Sequence, residues 1–230
     1  MDTRSFVRLV SALCFVVPVA MAAQPTEAVA CGESIAFEVD PNVLLLSKAE
    51  TSLTNGKAHD AALDALKVFP KIKTAKAGSS PLLARAQRIV AMSIVRTDGL
   101  LTAGKEFQAS NADERRANLE WAIGTLRRLS AAKNKNPAAQ TDLGEALARL
   151  PETQPEALAT LDKLAQKDLV TSARGYRALA ELRQAAGDDE GRVAAMKKYE
   201  ALAKKNKPAD AKDAKPAAPN PLAKPSVIST

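Results

Sequence analysis

The chain has 230 residues, 46% of them hydrophobic but only 3% aromatic, with 33 basic against 26 acidic side chains. Alanine is about a fifth of the sequence, and helices favour Ala and Leu where strands want β-branched and aromatic residues, so an all-β sandwich or barrel is disfavoured at once. A single histidine rules out a histidine-rich metal site and leaves little room for acid–base catalysis.

At the N-terminus, Arg4 and Arg8 precede an apolar run from Leu9 to Ala20. Ala20-Met21-Ala22 then supplies a small-x-small cleavage pattern, followed by polar Gln24 and Thr26. In that order these features read as a secretory signal peptide over residues 1–22. The apolar run is too short for a comfortable transmembrane span and contains Pro18. The expectation is an exported, periplasmic bacterial protein with no transmembrane span in its mature chain. Residues 23–39 read as a flexible mature N-terminus. Cys14 leaves with the signal, so Cys31 stands alone as a free thiol or an inter-chain disulfide partner. A third reading treats Ala28-Val29-Ala30-Cys31 as a lipobox, with Cys31 lipidated. The polar stretch Gln24–Glu27 and Ala28 at the usual leucine position favour the incidental thiol.

From residue 40 the chain reads as helices. Asp40-Pro41, Ser80-Pro81 and Asn136-Pro137 each place a side-chain acceptor at an N-cap and proline at the first helical position, where its missing N–H costs nothing. Thr171-Ser172 is a fourth start, without the proline. Leu143, Leu147 and Leu150 share one helix face. Second helices lie between these starts. Leu119, Ala122, Ile123, Leu126 and Leu129 form a stripe after Asn111, with Glu114 at capping-box spacing, and Leu158, Leu161 and Leu164 form another after Pro155. Asn55-Gly56, the Pro151–Pro155 segment and Gly187-Asp188 break first helices from second. The prediction is an all-α fold of about eight amphipathic helices in four antiparallel pairs over residues 40–205.

From Lys204 onward the chain holds six lysines, two aspartates and five of the thirteen prolines, and apolar periodicity vanishes, so 206–230 reads as a disordered Lys/Pro/Ala-rich tail. That stretch carries +4 of the net +7 and the signal peptide +1, which leaves +2 for the body. A basic nucleic-acid face with interleaved aromatics is not visible, and no nucleic-acid partner is expected. The tail is either solvated or in contact with an anionic envelope component such as phospholipid or peptidoglycan.

The pairs can be compared for an internal repeat. The segment around Leu143-Gly144, with Leu147 three beyond, and the last pair, with Tyr176, Leu179-Ala180 and Gly187-Asp188, resemble tetratricopeptide repeats (TPR). The first pair fits more loosely through Ala49, Gly56-Lys57 and Ala61. Taking Ala49, Ala91, Gly144 and Ala180 as equivalent gives spacings of 42, 53 and 36 residues, against a family period of about 34. The second unit therefore carries an insertion from Asp98 to Asn111. The resemblance implies stacked helix pairs forming a short α-solenoid, whose first helices line a concave groove for a segment of another protein. The alternative is an irregular α-helical bundle. Counting from each small residue carries the family's groove positions onto Glu50, Arg88, Arg96, Glu145, Arg149, Arg177, Glu181 and Gln184. This set is mixed in sign and rich in arginine, which suits polar or carboxylate-bearing peptides, while ordinary solvated helix faces would look the same. It lacks the lysine–asparagine pattern of the family's carboxylate-clamp members.

Little else carries chemistry. Gly99 to Lys105 has phosphate-loop spacing, but Glu106 follows where Ser or Thr should hold Mg²⁺, and an apolar run with helical capping precedes it. His59 stands beside Asp60, yet adjacent helical residues do not face each other. Asp188-Asp189-Glu190 complements a helix dipole, and Trp121 and Tyr176 sit at core spacing. No catalytic residue, cofactor or metal is expected. The functional expectation is a non-catalytic interaction or scaffold module of the cell envelope; the alternative is a structural envelope protein acting through its basic tail.

Overall fold

The structure, a computed structural model, describes residues 40–76, 80–132 and 136–205. The signal peptide expected over 1–22, the segment 23–39 with Cys31, and the tail 206–230 lie outside the described residues.

The described chain is all-α, with eight helices: α1 Pro41–Thr54, α2 Ala58–Val68, α3 Pro81–Arg96, α4 Ala112–Ala132, α5 Pro137–Leu147, α6 Gln154–Ala165, α7 Ala173–Ala185 and α8 Asp189–Lys205. No strand occurs among the described residues, and none of their helices is long and apolar enough to cross a membrane. The starts follow from capping chemistry. Asp40 accepts from the Asn42 amide at 2.8 Å, Ser80 from Leu83 at 3.1 Å, Asn136 from Ala138 at 2.9 Å and Ser172 from Gly175 at 2.9 Å. At α4 the Asn111 side chain accepts from the Glu114 amide at 2.8 Å, but Glu114 reaches back to the amide of Ser110 rather than that of Asn111, at 2.6 Å. The box is therefore one residue wider than its usual form. Gly56 and Gly187 close the first and last pairs with φ of 81° and 78°, a region that side-chain-bearing residues rarely adopt.

The helices pack as successive pairs, and each even-numbered helix also touches the odd-numbered helix after it, where there is one. The odd-numbered helices meet one another in series, α1 with α3, α3 with α5 and α5 with α7. The four aligned small residues lie on these odd helices: Ala49 and Ala91 are fully buried, Ala180 is 2% exposed, and Gly144 is buried. Their size is a packing requirement. A Cβ on Gly144 would lie 2.6 Å from both Cγ and Cδ2 of Leu161, a fully buried residue of α6. Leu119, Ile123 and Leu126 of α4, Leu143 and Leu147 of α5, and Leu161 and Leu164 of α6 enter the same core, with Leu158 only partly buried. Leu150, expected on the α5 face, joins the core from beyond the end of that helix at Leu147. Helix α8 is the least embedded: Ala195 is its one buried residue, and Met196, Tyr199 and Leu202 are partly covered.

The insertion between α3 and α4 is tied down along its length. The buried Asn118 of α4 donates to the carbonyls of Gly99 and Phe107, at 3.1 and 2.8 Å. Phe107 is fully buried against Trp121, with ring centroids 4.8 Å apart. Lys73 donates to the Glu106 carbonyl at 2.7 Å and lies 5.0 Å from the Phe107 ring centroid. Tyr176 is 3% exposed and donates to Asp168 at 3.1 Å, and Lys198 of α8 donates to the same oxygen at 2.9 Å. This links α7, the preceding turn and α8.

Gly144→Ala should lower the melting temperature despite alanine's better helix propensity, because about 1–3 kcal/mol of overpacking outweighs about 1 kcal/mol of propensity. A rise in thermal melting would show that α5 and α6 are not in close contact at this point. Burial and the bond to Asp168 push the Tyr176 phenol from its ordinary 10.0 up to about 12. A pKa raised in the fold means a contribution complete below pH 10 and lost as pH climbs through about 12. Tyr176→Phe should therefore cost about 1 kcal/mol at neutral pH, and urea titrations should show its gap from wild type closing at alkaline pH.

Candidate functional site

Of the eight residues that the repeat alignment assigns to the groove, seven lie on odd-numbered helices and fall into two groups, while Arg149 lies just past the end of α5. The first group is engaged in ion pairs between neighbouring odd helices. Arg85 of α3 grips Glu50 of α1 with two bonds, Nε at 2.7 Å and Nη2 at 2.6 Å, and also reaches Ser47 at 2.9 Å. Arg88 of α3 pairs with Asp142 of α5 at 2.5 Å. Burial works against the Arg88 charge, but Asp142, with Glu50 and Glu145 adding to it, prevails and raises the guanidinium above its ordinary value. Arg96 at the end of α3 donates to Glu145 of α5 at 3.3 Å and to the Leu53 carbonyl of α1 at 2.8 Å. Glu145 is fully buried and the Arg96 side chain is 11% exposed, so this pair belongs to the interior and presents no face to a partner. The second Glu145 oxygen, Oε2, is buried with no hydrogen-bond partner.

Arg149 stands one turn beyond Glu145, half-buried, and its buried Nε has no hydrogen-bond partner. Arg174, in the first turn of α7, escaped the sequence reading although it precedes Arg177 by one turn on the same helix face. Its Nη2 lies 3.8 Å from where a Cβ on Gly56 would be, so this exposed side chain reaches the turn between α1 and α2. Desolvation pulls Arg174 below the ordinary guanidinium value, and the charges of Arg96, Arg149 and Arg177 act in the same direction against Glu145.

The second group is open. Arg177, Glu181 and Gln184 are exposed on α7, one turn apart, with Arg177 bonded to Glu181 at 3.0 Å. Together with Ala180 they form one wall of a cleft of about 410 Å³; Arg192, Met196 and Tyr199 of α8 form the other. Ala180, Met196 and Tyr199 give this cleft an apolar element, and the remaining four residues are polar.

The other sequence features lie apart from this face or within its supports. Gly99 to Lys105 follows helix α3 rather than a strand, and Gly99 and Gly104 have φ of 79° and 75° in the insertion. His59 is exposed at the start of α2 and faces Thr102, whose hydroxyl is 2.9 Å from its Nδ1. Asp188 accepts from the Gly191 amide at 2.8 Å, at the start of α8. Among the described residues, no group of three or more His, Cys, Asp or Glu is placed to hold a metal ion. Directional hydrogen-bond donors in a cleft with an apolar element can recognise a polypeptide segment. Neither a family model, nor a curated protein, nor a solved structure matches this chain.

Arg96→Met should cost about 3 kcal/mol in urea unfolding, because it leaves Glu145 buried without its counter-charge. Replacing both partners, Arg96→Met with Glu145→Leu, should recover most of that loss. A double variant as unstable as the single one would mean that the pair is not isolated from its neighbours.

Proposed function

We propose that this chain is a non-catalytic protein-interaction module, built from TPR-like stacked helix pairs and exported to the cell envelope. A segment of a partner protein runs along the face of the odd-numbered helices and enters the cleft between α7 and α8. The observation that carries this reading is the cleft itself, where three residues of the expected groove meet Met196 and Tyr199. An apolar element with a few convergent polar groups is what a peptide side chain needs for affinity and orientation. The serial contact of α1, α3, α5 and α7, with small residues buried along it, supports the repeat reading. Its export rests on the signal-like pattern of residues 1–22. The basic stretch from Lys204, net +4, supports a secondary contact with anionic envelope material.

Site-specific photocrosslinking tests the proposal in cells of the source. A photoreactive residue at Gln184 should yield one discrete adduct, and the same residue at the exposed Glu120 of α4 should yield none. Glu181→Trp, which fills the cleft from an exposed position, should abolish the adduct. An adduct that survives Glu181→Trp but disappears on removal of 206–230 would shift the function to the tail.

A further inference from the structure

Each odd helix after the first rests on both members of the pair before it: α3 on α1 and α2, α5 on α3 and α4, α7 on α5 and α6. The residue three before the aligned small position takes part in that contact. In α3 it is Arg88, which pairs with Asp142 of α5 at 2.5 Å. In α5 it is Thr141, fully buried, and a Cβ on Gly175 of α7 would lie 2.6 Å from its methyl group. In α7 it is Arg177, and among the described residues no helix follows α8 to cover it. Exposure follows the same order. Arg177, Ala180, Glu181 and Gln184, the α7 wall of the cleft, correspond to residues of α1, α3 and α5 of which none is exposed, whereas on α7 only Ala180 is buried. The cleft thus has the place in its pair that an odd helix fills in the three pairs before it. The incoming helices share a feature too. Five residues before the small position stand Ala86, Ala139 and Gly175 in the three helices that rest on a pair, and none of them is exposed. In α1, which rests on none, that position is Leu44, 57% exposed. A small side chain there lets two helices approach closely.

We propose that the groove between α7 and α8 takes one amphipathic helix of a partner protein, seated as α5 sits on α3 and α4. That helix carries a small residue and, three positions on, an aspartate or glutamate that pairs with Arg177 as Asp142 pairs with Arg88. Its apolar stripe meets Ala180, Met196 and Tyr199. The inference rests on the reading that the cleft takes a partner segment, and it names the form and chemistry of that segment. Charge agrees with it: two arginines and one glutamate line the cleft, so a carboxylate is the complement. Arg177 bonds Glu181 of its own helix in an exposed pair, a kind that contributes little and is readily exchanged. The sequence of 206–230 is a poor source of such a helix. It holds five prolines, and its longest run free of proline, 209–215, has alanine as its only apolar residue. Helix α1 of a second copy, stacked end to end, fits no better: Leu44 stands where the small residue is needed and Ser47 where α5 has Asp142.

The probe is a labelled peptide of residues 136–150, the α5 sequence, which has Ala139 and Asp142 at the required spacing. It carries Gly144→Ala to favour the helix, since no α6 opposes that residue in the peptide. In fluorescence anisotropy it should bind the full chain, and circular dichroism should show helix added on binding. Asp142→Asn in the peptide and Arg177→Gln in the protein should each weaken binding about fivefold, and the two together no further. Ala139→Leu in the peptide should weaken it about tenfold, although leucine adds apolar surface. Absence of binding overturns the proposal, as does binding without added helix. An Asp142→Asn peptide that binds equally, or an Ala139→Leu peptide that binds more tightly, overturns it too. Binding that appears only after removal of 206–230 gives the groove to that segment. Self-association of the full chain in sedimentation, abolished by Glu181→Trp, gives it to a second copy; either result overturns the partner helix. An adduct at Gln184 with failure of the peptide removes this inference and leaves the cleft reading standing; absence of both removes both.

Discussion

The arrangement depends on helix α3, which offers arginines to the odd helix on either side of it. Arg85 holds Glu50 of α1, and Arg88 and Arg96 hold Asp142 and Glu145 of α5. Ten of its sixteen residues are buried, so the helix is at once the centre of the core and the source of the polar links across the face. These links are directional in a way that apolar packing is not. A leucine stripe can slide by a fraction of a turn at little cost, whereas a guanidinium aimed at a buried carboxylate cannot. The links to α1 and α5 thereby set the register of the odd helices, and with it the positions from which other side chains meet a partner.

The contact from α5 to α7 is made differently. No ion pair joins these two helices among the described residues; Gly175 instead lies against Thr141, where an added Cβ would come within 2.6 Å of a methyl group. The arginines of α7 are consequently left for other work. Arg183 turns to Asp162 of α6 at 2.6 Å, while Arg177 faces the cleft and Arg174 the turn at Gly56. The charges of α1, α3 and α5 are thus paired between neighbouring odd helices, whereas Arg177 pairs with Glu181 on its own helix and stays exposed. The last pair, with α8 burying only Ala195, is also the one with an uncovered wall.

Much of this was legible from residue order alone. Asp40, Ser80, Asn136 and Ser172 cap the helices they were expected to start, because capping involves only the next two or three residues and needs no tertiary context. The insertion after α3 was visible as a break in repeat spacing, but not its attachment. Phe107 against Trp121 and Asn118 against two loop carbonyls depend on residues brought together by folding. The groove set was only partly informative. Glu50, Arg88, Arg96 and Glu145 looked alike as charged positions on helix faces, yet Glu145 is fully buried, Glu50, Arg88 and Arg96 are occupied by partners on neighbouring helices, and Arg177 shares the cleft with exposed residues. Arg174 was missed because counting from the small residue of each helix reaches Arg177 and stops there.

What residue order determined by itself is the all-helical content, the capped starts of the helices, and the set of small positions that closely packed pairs require. All of these rest on interactions within a few residues along the chain or on the period of the helix. What tertiary structure alone decided is which charges are interior and which are presented. Arg96 and Glu145 are 49 residues apart, and Arg88 and Asp142 are 54 apart. Whether a charged side chain meets water or a counter-ion depends on what the fold places opposite it, and helical spacing on its own carries no record of that.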